Sequence, residues 1–390
     1  MSKRIGIEVS LAVSEAVKLA NADVVAAYPI TPQTHIVEHL SELVANGELD
    51  AEFVPVESEH SAMSCCIGSS AAGARTFTAT SSQGLALMHE LLYLPPALRL
   101  PIVLSVANRA LSAPISIWND HSDIMAERDT GWIQIFAENG QEVLDMTLQA
   151  FRIGEDPAVM LPVAVNLDGF NLSHVIEPMF MPDQKEVDDF LPPYRPAVRL
   201  DPAKPVSMGM FGIPEVYYET KKAVDEALLD SKNTIYAVWK DFEQRFGRKY
   251  EPIEAYHCQD ADTILVTMGS ISETAKTAVD EMRAAGKSVG LARIILWRPF
   301  PDVEFKAAVA GAKKLAIIDR CITLGSASNP VCQEVRSLLY LMDDRPKVFG
   351  FTIGIGGRDS TREMFKHIYD QCQVLPAKGQ DRYEMVGVME

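Results

Sequence analysis

Four groups of polar side chains in the first third of the chain have the types that bind ligands and move protons. They are Thr31, the pair Glu57 and Glu59, the segment Ser81–Gly84, and Asn108–Arg109. A positioned carboxylate can hold or transfer a proton, and a guanidinium presents a two-pronged donor to an anion. Each residue alone also has an ordinary explanation as a helix cap, a helix-dipole partner or an ion pair.

Each of the four groups directly follows an apolar run that predicts a β-strand. The predicted strands are Val24–Ala27, Phe53–Val56, Thr76–Ala79 and Ile102–Ala107, with Met160–Leu167 as the last of the set. Helices are predicted between them, over Ser10–Leu19, Gln33–Ala45, a small-residue run ending at Ala72, and a run beginning at Leu85. This alternation predicts an α/β fold with a parallel sheet covered on both faces. Because the carboxyl ends of parallel strands share one edge, we expect the four groups to face one pocket.

The second half of the chain predicts an arm, a helical connector and another α/β block. Residues 170–215 break the alternation and are rich in proline, which is typical of a linker or a wrapping arm. We expect a first domain over 1–215, a connector over 216–258 containing the helix 216–246, a second domain over 259–373, and a tail over 374–390. The second block predicts strands at Thr263–Met268, Ser288–Ile294, Lys314–Asp319 and Lys347–Thr352.

Two serine–glutamate pairs in this block have the spacing of a capping box. Ser270 precedes Glu273 by three residues, and Ser360 precedes Glu363 by the same interval. In such a box the serine hydroxyl and the glutamate carboxylate each accept a backbone N–H at the start of a helix. The pairs therefore predict helix starts at these two positions.

Composition and charge exclude several classes of protein. The 390 residues suffice for two or three domains. The 36 Lys+Arg and 53 Asp+Glu give a net charge of −17, which argues against nucleic acid or an anionic membrane as the main partner. No apolar stretch has the length of a membrane span, and the first residues are too polar for a signal peptide. The six dispersed cysteines form no C-x-x-C pair, so we expect buried reduced thiols in a cytoplasmic protein, with no metal site on this chain.

Two further motifs have competing interpretations. His35-Ile36-Val37-Glu38-His39 has the residue order of inverted zinc peptidases. A zinc site would need a third ligand, and nothing in the sequence selects one, so a solvated helix face is favoured. The run Gly354–Gly357 follows a predicted strand but lacks the spacing and the acidic residue of a dinucleotide fingerprint. It favours a tight turn and argues against a nicotinamide-binding enzyme.

In their order along the chain, the motifs resemble the alpha subunits of the pyruvate:ferredoxin oxidoreductase family, within the 2-oxoacid:ferredoxin oxidoreductases. The resemblance covers nearly the whole chain. It is carried by YPITP (28–32), ESEHSA (57–62), TFTATSSQGL (76–85), NRALSAP (108–114), WNDHSD (118–123), MGS with ET (268–274), WRPFP (297–301) and IDR (318–320). It implies a thiamine-diphosphate pyrimidine-binding-type parallel-sheet domain followed by a transketolase C-terminal-like α/β domain.

The resemblance also implies roles for the residues around the thiamine cofactor. Glu59 matches the carboxylate that contacts N1′ of the aminopyrimidine and favours the imino tautomer, whose nitrogen removes the C2 proton. Glu57 is the alternative for this role. Ser82 and Gln83 match positions that bind the cofactor.

For the substrate, the resemblance points to a 2-oxo acid. Arg109 matches the residue that binds its carboxylate, and Thr31 matches a hydroxyl donor to the carboxylate or the oxo group, with Asn108 beside them. Since no second cation lies near Thr31, pyruvate is favoured over a dicarboxylate. Branched-chain 2-oxo acids remain an alternative.

The parts that are missing from the sequence imply partner chains. The chain has no Gly-Asp-Gly segment for magnesium and diphosphate, and no cysteine pattern for a cluster. The resemblance implies a beta subunit that supplies Mg²⁺, the diphosphate-binding domain and a [4Fe-4S] cluster. Gamma- and delta-type or fused ferredoxin-like subunits would carry further clusters, with ferredoxin and coenzyme A as co-substrates. The alternative from another class is a non-catalytic scaffold subunit, which would not need Thr31, Glu59 and Arg109 together.

Overall fold

A computed structural model describes residues 3–378, 380 and 382–389 of the chain. The first half contains, in order, β1 (Lys3–Glu8), α1 (Val9–Leu19), β2 (Val24–Ala27), α2 (Thr34–Ala45), β3 (Glu52–Pro55), α3 (Glu59–Ala72), β4 (Thr76–Thr80), α4 (Ser82–Leu92), α5 (Leu94–Leu98), β5 (Val103–Asn108), α6 (Ser122–Ala126), β6 (Ile133–Phe136), α7 (Gly140–Gly154) and β7 (Val163–Asp168). The second half contains β8 (Ile176–Met181), α8 (Gln184–Phe190), α9 (Pro214–Phe246), β9 (Ile253–Tyr256), β10 (Thr263–Met268), α10 (Ile271–Ala284), β11 (Val289–Ile294), β12 (Leu296–Arg298), α11 (Asp302–Ala308), β13 (Lys314–Asp319), α12 (Pro330–Leu339), β14 (Lys347–Thr352), α13 (Arg362–Lys378) and β15 (Glu384–Met385).

The first half is built on a seven-stranded sheet with the order β12-β6-β7-β5-β4-β2-β3. Strands β2 to β7 run parallel, and β4, β5, β6 and β7 are buried along their whole length. Apolar side chains of α1, α2 and α7 pack on one face, and those of α3 and α4 pack on the other. Burial on both faces explains the continuous apolar runs in the strands. The predicted parallel sheet is therefore confirmed.

The strand order places a topological switch point beside β2. Strand β3 pairs with one side of β2, whereas β4 pairs with the other side. The loops that follow β2 and β4 therefore diverge and leave a crevice at the carboxyl edge, where open α/β sheets bind ligands.

The second half is built on a six-stranded sheet with the order β15-β14-β13-β10-β11-β9. Strand β10 is parallel to both β11 and β13, and β13 is parallel to β14, whereas β9 is antiparallel. The strands predicted at β10, β13 and β14 have the observed bounds. Strand β12 lies between β11 and β13 in the chain, but it pairs antiparallel with β6 and so belongs to the first sheet. The two sheets are thus tied together by the chain itself.

The region predicted as an arm contains regular structure, so this prediction is partly wrong. Strand β8 pairs antiparallel with β1, from Lys3 opposite Met181 to Glu8 opposite Ile176, and α8 follows it. The capping box of α8 joins Asp183 and Glu186. The two-stranded ribbon is largely exposed and lacks a buried apolar run, which is why its sequence does not predict a strand. Strand β6 is also absent from the predicted set, and β7 begins at Val163 rather than Met160.

The two predicted helix starts are confirmed, because α10 begins directly after Ser270 and α13 begins at Arg362, but neither predicted capping box forms. Ser270 has helical backbone angles, and its hydroxyl donates to the Asp168 carboxylate rather than accepting an N–H of α10. The Asp168 carboxylate is buried away from water, so it needs hydrogen-bond donors from the protein, and the Ser270 hydroxyl is one of them. At α13 the capping oxygen belongs to Thr361, which accepts from the Met364 N–H at 3.4 Å. Ser360 lies one residue before it.

The tail prediction also needs correction. Helix α13 continues to Lys378, and β15 then pairs with the end of β14, with Phe351 opposite Glu384. Residues 379, 381 and 390 of the predicted tail lie outside the described residues. Among the described helices, none is both long and apolar enough to cross a bilayer. All six cysteines are free thiols, and five of them are buried, as expected.

Candidate active site

The turn after β2 is fixed to the neighbouring strand by a buried glutamine. The side-chain amide of Gln33 donates to the carbonyl oxygens of Tyr28 and Ala79, each at 2.9 Å. The second of these bonds anchors the turn to β4, across the switch point. The Thr31 side chain stays exposed at the top of this turn, and its carbonyl oxygen accepts from Arg109 Nη1 at 2.9 Å.

Glu59 is a buried carboxylate at the start of α3. Ser58 caps this helix, because its Oγ accepts the Ser61 N–H at 3.2 Å, and the cap fixes Glu59 as the first helical residue. The Glu59 side chain is 6% exposed and packs against Gly84 in the first turn of α4. A Cβ at position 84 would lie 2.8 Å from Glu59 Cδ and 2.5 Å from Thr80 Oγ1, so only glycine leaves room for this carboxylate.

The two glutamates of this segment differ in environment. In the described part of the chain no side chain or backbone group donates to the Glu59 carboxylate, so this carboxylate is available for a ligand. Glu57 is exposed and already accepts the Ser61 hydroxyl, which lowers the pKa of Glu57. A buried acceptor without a partner is costly unless something else supplies a donor. Glu59 is therefore the better candidate for a cofactor contact.

Arg109 is held by backbone carbonyls at two points. Its Nε donates to the Ser116 carbonyl at 2.8 Å, and Nη1 donates to the Thr31 carbonyl at 2.9 Å. The side chain is 7% exposed. Burial lowers the pKa of Arg109, and the charge of Asp123 opposes that shift. Among the described residues the Nη2 donors have no acceptor, which leaves one edge of the guanidinium free for an anion.

Asp123 joins the loops after β4 and β5. Its Oδ2 accepts the N–H groups of Ser82 (3.0 Å) and Arg109 (2.9 Å), and its Oδ1 accepts from Asn108 Nδ2 at 3.1 Å. Burial raises the pKa of Asp123 to about 6, although these hydrogen bonds and one from the Ile124 N–H oppose the shift. The carboxylate sets the relative position of two segments that carry site residues. The sequence does not single out this aspartate, because backbone N–H acceptors leave no motif.

The remaining predicted site residues lie around Asp123. Ser82 is buried, has a positive φ of 47°, and its hydroxyl bonds to the Ala110 carbonyl (2.7 Å) and to Gln83 Oε1 (2.6 Å). Asn108 is fully buried and also donates to Asn166 Oδ1 at 3.2 Å. Gln83 is half-buried beside Gly84 and so lies next to the Glu59 carboxylate. The structure thus brings Thr31, Glu59, Ser82, Gln83, Asn108 and Arg109 to one edge of the sheet.

The second sheet meets this edge through a buried ionic cluster centred on Asp168, at the end of β7. Asp168 Oδ1 lies 2.9 Å from His121 Nε2, and Oδ2 lies 2.7 Å from Arg320 Nη1. The Ser270 N–H also donates to Oδ2 at 2.8 Å. Asp168, His121 and Arg320 are buried, and Ser270 is half-buried. Burial opposes ionisation of Asp168, but Arg320 and His121 outweigh it and hold the pKa of the carboxyl far below its usual range. Sequence reasoning did not find this cluster, because its members come from distant segments.

The glycine run after β14 also contacts this region. Gly354, Gly356 and Gly357 all have positive φ values, and the Gly357 N–H donates to the Asn119 carbonyl at 2.6 Å. A side chain at position 357 would overlap Trp118. The run is therefore a tight turn that closes on the segment between β5 and α6.

The two histidines of the peptidase-like motif face different carboxylates. His35 Nδ1 lies 2.6 Å from Glu8 Oε1, whereas His39 Nε2 lies 3.0 Å from Glu15 Oε1. Glu38 is exposed. This arrangement disagrees with a zinc site shared by the two histidines of the motif.

Comparisons with known proteins agree with the geometry. Residues 15–239, more than half of the chain, match the family model for pyruvate flavodoxin/ferredoxin oxidoreductase, thiamine-diphosphate-binding. Residues 261–365 match the model for pyruvate:ferredoxin oxidoreductase core domain II. A solved split-gene transketolase shares the fold with a TM-score of 0.56 at 11% identity, over 95% of this chain and 99% of that one, which agrees with the predicted fold class.

Individual relatives cover most of the chain. Pyruvate synthase subunit PorA of Methanothermobacter thermautotrophicus is 51% identical over 91% of this chain and 91% of its own. Ketoisovalerate oxidoreductase subunit VorA of Pyrococcus horikoshii is 43% identical over 92% and 91%. A solved 2-oxoglutarate:ferredoxin oxidoreductase from Magnetococcus marinus, with 2-oxoglutarate, coenzyme A and succinyl-CoA bound, shares the fold with a TM-score of 0.73 at 20% identity, over 95% of this chain and 66% of that one. The chain therefore belongs to the pyruvate flavodoxin/ferredoxin oxidoreductase family.

Proposed function

We propose that this chain is the alpha subunit of a multisubunit pyruvate:ferredoxin oxidoreductase. The complex converts pyruvate and coenzyme A into acetyl-CoA and CO2 and passes the electrons to ferredoxin. One observation carries the proposal: a buried carboxylate without a partner, Glu59, lies at the same sheet edge as a guanidinium with a free edge, Arg109. A scaffold subunit would have no need of either feature.

The residues present fit one half of a thiamine diphosphate site. When bound, the cofactor supplies the carbon nucleophile that attacks the oxo carbon of the substrate and accepts the electrons released on decarboxylation. Glu59 would hold a proton at N1′ of the aminopyrimidine, and the Gly84 gap allows that ring to approach the carboxylate. Gln83 lies beside the gap, and Ser82 fixes the loop that carries it.

Arg109 is the group that would bind the carboxylate of the 2-oxo acid. Its Nε and Nη1 contacts fix the guanidinium plane, so its free edge points in one direction before the substrate arrives. Thr31 adjoins Arg109 and offers a hydroxyl to the same anion. We place Asn108 in a supporting role, since its amide is directed at Asp123.

The other parts of the reaction belong to partner chains in this proposal. A beta subunit would supply Mg²⁺, the diphosphate site and a [4Fe-4S] cluster, and gamma- and delta-type or fused ferredoxin-like subunits would supply the remaining clusters. The domain bounds that we propose are 1–215, 216–258, 259–373 and 374–390. Six free thiols fit a reducing cytoplasmic location.

The substrate range is tested with the anaerobically purified complex and a series of 2-oxo acids. We expect pyruvate to give the highest kcat/KM in coenzyme A-dependent reduction of viologen. 2-Oxoglutarate should react poorly, because among the described residues Arg109 is the cation that is bonded to Thr31 and the sequence supplies no second one beside it. The relative named for ketoisovalerate makes branched-chain 2-oxo acids the second candidate. A higher kcat/KM with a branched-chain acid would assign the complex to that substrate instead.

Arg109→Ala is expected to raise the KM for pyruvate by about 10- to 100-fold, because a charge-assisted hydrogen bond contributes about 1.5–3 kcal/mol. The complex should still assemble, because the alanine removes only the hydrogen bonds to the Ser116 and Thr31 carbonyls at the edge of the sheet. Steady-state kinetics of the purified variant complex measure the change.

Two further variants make this test specific. Arg109→Lys keeps the positive charge but loses the fork, so its KM should remain raised. Arg345→Ala is the matched control, because Arg345 is exposed, donates to the carbonyls of Tyr340 and Met342, and lies over the Tyr340 ring, away from the predicted site residues. An unchanged KM in Arg109→Ala would remove this residue from the substrate site.

The KM for pyruvate is also expected to depend on pH through Asp123. Burial raises the pKa of Asp123 to about 6. Below that pH the carboxyl is protonated and accepts the Arg109 and Ser82 N–H groups more weakly than the carboxylate does. The KM should therefore rise as the pH falls through 6.

The free energy of unfolding depends on pH in the opposite direction. Because the pKa of Asp123 is raised in the folded state, its protonated form stabilises the fold at low pH, and this contribution is lost as the pH rises through 6.

Asp123→Asn distinguishes this residue from other titrating groups. The amide cannot accept all of these N–H donors at any pH, so the KM should be about tenfold higher than in the wild type, equivalent to about 1.4 kcal/mol, without an inflection near pH 6. Measurement of KM and kcat on both sides of that pH tests the role. An inflection that persists in Asp123→Asn would assign it to another group.

A further inference from the structure

Three side chains with metal-binding atoms, none of them among the predicted site residues, converge near the start of α2. They are Glu8 at the end of β1, His35 in the first turn of α2, and His174 between β7 and β8. One ligand atom from each lies within 4.8 Å of the other two. All three residues are half-buried, so the group is accessible to an ion from solvent yet held by three separate elements.

Each of the two imidazoles has a polar contact at Nδ1. His174 Nδ1 lies 2.8 Å from Ser173 Oγ, which also accepts the Phe170 N–H at 2.9 Å. A hydroxyl oxygen has lone pairs for both donors, and a hydrogen bond at Nδ1 leaves Nε2 as the free nitrogen. Such a second contact orients histidines that bind metals. Burial and the neighbouring His35 lower the pKa of His174, so the ring is neutral at neutral pH.

The donor set has the chemistry of a zinc-type centre. Two imidazoles and one carboxylate are a recurrent ligand set for zinc, with water in the fourth position. Ligand atoms around a tetrahedral zinc lie about 3.4 Å apart. The 2.6 Å contact between Glu8 Oε1 and His35 Nδ1 would therefore lengthen when an ion replaces the shared proton. We propose that Glu8, His35 and His174 form a binding site for a divalent transition-metal ion of the zinc type.

Stacked rings connect this metal site to the wall of the candidate active site. The His35 and His174 rings lie 4.5 Å apart, His174 lies 4.6 Å from Phe170, and Phe170 lies 4.7 Å from Trp118. Trp118 belongs to the same loop as Ser116, whose carbonyl holds Arg109 Nε. An ion at the site would brace the segment 169–175 and, through it, this loop. The role is structural, because none of the three ligands is a residue proposed to bind the cofactor or the substrate.

Equilibrium dialysis of the purified complex against zinc tests the proposal, with bound zinc measured by mass spectrometry. We expect one equivalent per copy of this chain to be lost in His35→Ala, in His174→Ala and in Glu8→Gln. Glu8→Gln keeps the size and shape of the side chain, so a loss of zinc in this variant cannot be attributed to misfolding. His39→Ala is the matched control, because His39 lies one turn further along α2 and pairs with Glu15.

A second measurement separates a built site from zinc bound elsewhere on the surface. In the wild type, zinc should slow amide hydrogen exchange over residues 169–175, and this protection should be absent in His174→Ala. The Glu59→Gln complex should bind zinc as the wild type does, since the site does not depend on the proposed catalysis. Equal zinc content in the wild type, His35→Ala and His174→Ala, or no retained zinc in the wild type, would overturn the proposal.

Discussion

Glu59→Gln is expected to lower the turnover number of the complex with pyruvate by about 10²–10⁴-fold, the range for a positioned group that takes part in proton transfer. Glutamine keeps the length and shape of the side chain and fits the gap at Gly84, but its amide cannot hold the proton that the thiamine aminopyrimidine requires. The KM for pyruvate should change little, because Glu59 lies on the cofactor side of the site. Coenzyme A-dependent reduction of viologen measures both constants.

Glu57→Gln is the matched control for this experiment. The same chemical change is made two residues away, at an exposed carboxylate that accepts the Ser61 hydroxyl and its own backbone N–H. We expect its turnover number to equal that of the wild type. The reverse pattern, an active Glu59→Gln and an inactive Glu57→Gln, would transfer the role to Glu57.

Asp168→Asn is expected to weaken the contact between the two sheets by about 3–5 kcal/mol, the range for removal of one partner from a buried ion pair. The neutral amide would leave the Arg320 guanidinium buried without a counter-charge, and Arg320 Nε and Nη2 already have no hydrogen-bond acceptor among the described residues. His121 would lose its carboxylate as well. Activity should fall too, because the His121 segment leads directly into Asp123.

Amide hydrogen exchange at His121 reports this opening locally. Its N–H donates to the Arg320 carbonyl across the contact at 2.9 Å. A loss of about 3–5 kcal/mol in opening free energy corresponds to exchange that is faster by about 10²- to 10⁴-fold. The control is Asp260→Asn, which removes an exposed carboxylate paired with Arg283 and should leave exchange at His121 unchanged. Equal exchange in the wild type and Asp168→Asn would show that the cluster does not hold the sheets together.

The parts of the fold that the sequence predicts correctly are those with buried, periodic signals. Strands such as β10 and β13 are apolar along their length and end at polar turns, so both their class and their bounds are recoverable. The alignment of Thr31, Glu59 and Arg109 at one edge followed from the geometry of parallel strands alone. The exposed ribbon of β1 and β8 carries no such signal and was not predicted.

The side-chain contacts that organise the site could not be predicted, because they depend on pairs far apart in the chain. Asp123 acts on backbone N–H groups of Ser82 and Arg109, and any residue type can supply such a donor. Ser270 has the sequence of a helix cap, yet Asp168, 102 positions away, takes its hydroxyl. Local patterns identify candidates, whereas tertiary burial decides which partner each one has.

The central claim is that this chain supplies the proton-holding carboxylate of a thiamine site, and hydrogen–deuterium exchange at C2 of the bound cofactor tests it most directly. The exchange is measured by rapid quench in the purified complex, without substrate, so that electron transfer and coenzyme A do not affect it. We predict fast exchange in the wild type and in Glu57→Gln, and exchange slowed by about 10²-fold or more in Glu59→Gln. Wild-type exchange in Glu59→Gln would contradict the claim.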